Sequence, residues 1–156
     1  MKVSNIHILI LRLVLGGLFL SIGLEKINEG WLTSPESLMK SLTRYHEHAT
    51  GYQLRYLDRV AIPHANLWSK LMACGELALG VSLLLGLLLR LSTFLGILMV
   101  LNFYAANGSL YSLDFFGGPW SALVTSSLVI LFLTRAGRVV GADALFAKAN
   151  PKGILW

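Results

Sequence analysis

Four apolar stretches fix what this chain can become: Ile6–Leu24, Leu67–Leu89, Leu91–Asn107 and Pro119–Leu133. A bilayer's hydrocarbon core of about 30 Å takes roughly 20 helical residues at 1.5 Å each, and these runs reach or approach that length. Inside lipid a backbone must satisfy its own polar groups, which favours helices for runs of this kind. The composition agrees. The chain is 55% hydrophobic and 13% charged, whereas a soluble domain has about a quarter of its residues charged. The expectation is all-α: a four-helix transmembrane bundle forming one membrane domain over residues 1–156, with the bilayer as its first partner. Lys2 before an apolar run resembles a signal peptide. That run continues to Leu24 and meets Glu25-Lys26 instead of a small-residue cleavage site, so it is read as a retained helix.

Between the first two spans lies a polar segment, residues 25–66, expected to cap the bundle. Ser34, Pro35 and Glu36 give a helix start: a hydroxyl N-cap, a proline in the first turn and a carboxylate near the dipole. Leu38, Leu42, Tyr45 and Ala49 then recur at helical spacing, with Gly51 placed to stop the helix: an amphipathic helix lying on the membrane surface or capping the bundle. Pro63 marks a second start. Only Arg90 separates the second span from the third, which predicts a hairpin with almost no loop. The connection from Gly108 to Gly118 holds no Lys or Arg, and no internal repeat is visible.

An even number of spans puts both termini on one side, together with the Arg90 turn. That side holds Lys2, Arg12, Arg90, Arg135, Arg138, Lys148 and Lys152 against Asp143 alone. The other holds Lys26, Lys40, Arg44, Arg55, Arg59 and Lys70 against Glu25, Glu29, Glu36, Glu47, Asp58, Glu76 and Asp114. The basic residues of the first side sit in short segments, where Lys and Arg set orientation. This predicts a multi-pass protein of the inner (cytoplasmic) membrane with both termini cytoplasmic. Trp31, Trp68, Tyr111 and Trp120 are then expected as an outer aromatic belt.

Ionisable side chains at membrane depth are costly unless paired or hydrated. Arg12 lies about 9 Å into the first span and Glu76 about 13 Å into the second, counted from opposite surfaces. Their backbones should differ in depth by roughly 7–8 Å, which predicts an Arg12–Glu76 ion pair. Arg12, Gly16, Phe19, Gly23 and Lys26 form one stripe, whose glycines let a neighbouring backbone approach. Helix packing with polar glue and a functional polar site are both consistent with this pattern.

The histidines act by exclusion. His7 and His64 sit at opposite ends and cannot share a haem, while His46 and His48 point to different faces of one helix. Solvated surface histidines are the plainer reading, with an external metal or quinone-edge site the alternative. No phosphate-cradling glycine loop, flavin or nicotinamide fingerprint occurs, so no haem, flavin or metal is encoded by a recognisable motif. The lone Cys74 is expected to be a buried, packed thiol. Nothing in the chain points to a nucleic acid.

Three segments carry a resemblance. They are the run from Arg12 through Gly16, Gly17 and Gly23 to Glu25-Lys26; Gly75-Glu76 through Gly80 to Gly86 and Arg90; and Ala136-Gly137-Arg138 with Gly141-Ala142-Asp143. On these the chain resembles the DoxX/DoxD family of small four-helix membrane proteins along nearly its whole length. The long outer segment with Trp31 and Pro63 is similar to the DoxD type, the membrane subunit of thiosulfate:quinone oxidoreductase. The resemblance implies a subunit at the quinone pool, receiving electrons from a sulfur compound through a partner. It puts Arg12, Lys26, Glu76 and Arg90 forward as site residues. The residues themselves add Asn102 as a polar end for a quinone slot, with Arg12 and Glu76 as the catalytic candidates and Glu76 as a proton donor. The alternatives are an accessory subunit of a larger respiratory or photosynthetic complex and a small transporter.

Overall fold

The computed structural model describes residues 5–112, 119–138 and 140–150. Lys2, Asp114 and Lys152 of the charge pattern lie outside these residues, as does the side chain of Trp120. Every regular element described is helical. Helix α1 is Asn5–Asn28, α2 is Glu36–His46 and α3 is Gly51–Tyr56, which runs on through a π-helical turn, Leu57–Ala61. Then come α4, Ala65–Leu85; α5, Leu89–Asn107; α6, Pro119–Leu133; and α7, Ala142–Ala149.

The helices α1, α4 and α5 are long and apolar enough to cross a membrane. The fourth expected span, α6, has 15 residues. It extends only about 22 Å, less than the hydrocarbon thickness. It packs against α5 and also touches α1.

The most extensive packing is between antiparallel α1 and α4, and glycine makes it possible. A Cβ on Gly23 would stand 2.7 Å from the Leu77 nitrogen, and one on Gly80 would stand 2.5 Å from the Leu20 nitrogen. Both helices therefore approach backbone to backbone, as small residues permit in membranes. Gly80→Ala must push α1 away, with an expected loss of about 1–3 kcal/mol. Detergent unfolding of that variant, beside Gly17→Ala in open space, tests it; equal midpoints would remove the close approach as a stabilising feature.

Two apolar clusters follow. One joins α1, α4, α5 and α6 through Leu15, Phe19, Leu83, Leu89, Leu128 and Leu131. The other forms the expected cap, in which Leu38 and Leu42 of α2 bury themselves with Trp31, Leu57, Ala61 and Met72. The opposite face of α2 exposes Lys40 and Arg44, so the amphipathic reading holds. The Ser34 hydroxyl accepts from the Glu36 amide at 3.2 Å. Gly51, expected to end this helix, instead opens α3 at φ +58°.

Other expectations change. Trp31 is buried in the cap instead of lying in an interfacial belt, because its indole packs behind α2. Cys74 is exposed, because it lies on the α4 face turned toward an apolar groove between α4 and α5. The hairpin turn is not at Arg90. Gly86 takes a left-handed conformation (φ +66°) that ends α4, and Leu88 repeats it (φ +49°), so Arg90 belongs to the first turn of α5.

Candidate functional site

Polar groups gather at two ends of the molecule. At the first, α1 begins, α4 turns into α5, and residues 134–138 and 140–150 fold back over the turn. Arg12 is 3% exposed here. Its guanidinium donates to the Ala136 carbonyl at 3.1 Å and to the Val140 carbonyl at 2.5 Å. Asp143, 1% exposed, accepts from the amides of Leu88 and Leu89 at 2.7 and 2.9 Å. It thereby satisfies two donors at the start of α5 that the helix cannot satisfy itself. Its own amide donates to Gly86 O at 2.9 Å. A Cβ on Gly137 would lie 2.1 Å from the Asp143 carboxylate, so only glycine fits beside it. Among the described residues, the non-glycine ones with positive φ, Leu88, Arg135 and Val140, fall in this latch. Hydrogen bonds to Asp143 and Arg12 hold the first and last in place.

At the other end, Lys26 donates to Glu76 Oε1 at 2.5 Å, with the two side chains 16% and 12% exposed. The ammonium also stands 4.9 Å from the Trp31 ring centre, a cation–π contact. The Trp31 indole in turn donates to Glu29 at 2.8 Å. The other oxygen of Glu76 is buried and has no hydrogen-bond partner among the described residues. A cavity of about 360 Å³ begins at this pair. Its walls are Leu18, Phe19 and Ile22 of α1, Met72 of α4, Met99, Val100, Phe103 and Tyr104 of α5, and Val124 of α6.

The expected Arg12–Glu76 pair does not form. The register of α1 on α4 sets Gly16 against Leu84 and Gly23 against Leu77. Glu76 therefore lies opposite the end of α1 where Lys26 stands, and Arg12 lies opposite the turn at Gly86. Fourteen residues of α1 separate Arg12 from Lys26, about 21 Å. Depths counted from the ends of the apolar runs mislead because α1 continues to Asn28 and α4 starts at Ala65.

The remaining candidates sit apart. Asn102 donates to the Tyr56 hydroxyl at 2.7 Å and pins the cap to α5. Burial pushes the Tyr56 phenol above its ordinary pKa, with the Asn102 bond acting in the opposite direction. Arg90 stands 5.1 Å from the Phe132 ring centre near the latch. His46 bonds Asp58 at 2.9 Å on the surface of the cap. No group of three His, Cys, Asp or Glu able to hold a metal occurs among the described residues.

The family model named DoxX matches residues 7–107. The chain belongs to the DoxX family. The matched part of this DoxX protein runs from α1 to the end of α5 and includes Arg12, Lys26, Glu76, Arg90 and Asn102. It stops before α6 and α7, so the segments around Gly137 and Asp143 lie beyond it. None of the curated proteins and none of the solved structures matches the chain.

Asp143, Tyr104 and the Lys26–Glu76 pairing are parts of these sites that the sequence does not mark as such. A signal for the first was present: one carboxylate in a basic tail, flanked by Gly137 and Gly141. Lys26 already stood on the Arg12 stripe, one helix end away.

Proposed function

We propose that this DoxX protein is a membrane subunit of a quinone-linked oxidoreductase and binds the quinone head in the cavity ended by Lys26 and Glu76. The observation that carries this reading is the apolar cavity that Lys26 and Glu76 line, with one Glu76 oxygen buried and without a hydrogen-bond partner among the described residues. The volume lies in the range of small-molecule sites, about 300–1,000 Å³, and such sites combine apolar walls with few polar groups. A quinone supplies a two-electron acceptor that takes up two protons on reduction. Phe19 and Phe103 offer flat apolar walls for a ring, while Glu76 exchanges a proton at its free oxygen. Lys26 holds the other oxygen and sets the charge of the pair. A partner protein supplies the electrons, with a sulfur compound as their source, as the family resemblance implies. In this reading α6 completes a four-helix bundle, the cap faces outward, and the latch faces the cytoplasm of the inner membrane.

Arg12 falls outside this site, because its donors serve backbone carbonyls of the latch. Those structural bonds are what favour the second reading, an accessory subunit built for packing. Transport is the weaker reading, since α1, α4 and α5 run without the breaks that build many transporter sites.

Binding is testable without the electron donor. A short-tailed benzoquinone titrated into the purified chain should quench tryptophan emission saturably, with Trp31 beside Lys26 as reporter. Val100→Phe, which fills the cavity, should abolish saturation. Quenching that rises linearly in both proteins, as simple partition into detergent does, would overturn the proposal.

A further inference from the structure

Helix α7 joins features that the quinone reading leaves unused. Its inward face carries Asp143, whose backbone and carboxylate bonds hold α7 against Gly86, Leu88 and Leu89. These residues lie where α4 ends and α5 begins, so α7 sits at the level where two spans leave the hydrocarbon. Its outward face carries Leu145, 68% exposed, and Phe146, 47% exposed, with Val140 just ahead at 68%. Lys148 follows Leu145 by three residues and shares that face, and Arg135 is exposed on the approach. Large apolar side chains beside cations, at the membrane boundary, match an interfacial helix. Such a helix sinks its apolar side chains toward the acyl region and leaves its basic groups among the headgroups.

We infer that α7 is an interfacial anchor that binds anionic phospholipid in the leaflet at the latch end, with Val140, Leu145 and Phe146 in the acyl boundary and Arg135 and Lys148 on the phosphates. Charge complementarity selects this occupant. The exposed cations favour anionic headgroups, each Lys or Arg near such a surface strengthening association about fivefold. The inference does not depend on what the cavity binds. It also explains why Asp143 is tied so closely to the hairpin, since an anchor needs a fixed height relative to the spans.

The test uses the full chain with Cys74→Ser and Leu145→Cys, labelled with a fluorophore, at one copy per nanodisc. In discs containing phosphatidylglycerol, the label should be shielded from acrylamide and quenched by lipid-borne nitroxides. A label at Thr43→Cys on the exposed cap is the aqueous reference. Lipid retained by the protein on extraction from mixed discs should favour phosphatidylglycerol over phosphatidylcholine. Arg135→Asn, which tolerates the left-handed backbone there, and Lys148→Gln should each lower that preference about fivefold. A label at 145 as open to acrylamide as one at 43 would overturn the inference and point to a protein partner on this face. An unchanged lipid preference when Arg135→Asn and Lys148→Gln are combined would overturn its anionic part.

Discussion

Asp143→Ala is expected to lower the unfolding free energy by about 2–6 kcal/mol, about 1–3 for each of two buried amides left without its acceptor. Three consequences act together. The amides of Leu88 and Leu89 lose their acceptor at the start of α5. Leu88 loses the bond that helps hold its left-handed backbone. The segment whose Ala136 and Val140 carbonyls receive the buried Arg12 loses its carboxylate tether to the hairpin. Asp143→Asn keeps shape and one oxygen acceptor, so it should cost less, about 1–3 kcal/mol. Gly137→Ala should act like Asp143→Ala, since its new methyl displaces the carboxylate. A cycle with Arg12→Met should show a coupling of about 0.5–3 kcal/mol. Unfolding in mixed detergent micelles measures all of these. Asp143→Ala with a wild-type midpoint would show that the latch is incidental to stability.

The latch also shows what the sequence revealed and what it concealed. Hydrophobic run length exposes the spans, because the hydrocarbon thickness imposes it on α1, α4 and α5 alike. The cap was legible for a similar reason: Leu38 and Leu42 repeat at helical spacing in an otherwise polar segment. Helix register left no such mark. Whether Arg12 meets Glu76 or Gly86 depends on how far each helix extends past its apolar run, and polar residues such as Glu25 and Lys26 continue α1 without interruption. The spacing of glycines held part of the answer. Gly16 and Gly23 are seven residues apart, as are Leu77 and Leu84, which they meet. Pairing those notches with those side chains sets Lys26 beside Glu76. The role of Asp143 was harder to see, because its partners are backbone amides, which every sequence has.

Lys26→Met should be more harmful than Lys26→Met combined with Glu76→Gln. In the single variant a carboxylate remains beside an apolar cavity with both oxygens unpartnered. Losing one partner of a buried pair costs about 3–5 kcal/mol; here the lower end applies because both side chains keep slight exposure. Neutralising Glu76 removes the charge that needed the partner, so the double variant should recover much of the loss. Function should not follow stability. If Glu76 exchanges the proton of a bound quinone, Glu76→Gln removes the exchangeable group and should lower quinone reduction by the purified complex about 10²–10⁴-fold. The stable double variant should be equally inactive, because restored folding cannot restore a proton. Separate measurement of unfolding midpoint and turnover distinguishes a group that fastens helices from one that serves chemistry. Wild-type turnover in Glu76→Gln would remove Glu76 from the reaction and leave the pair as a fastening between α1 and α4.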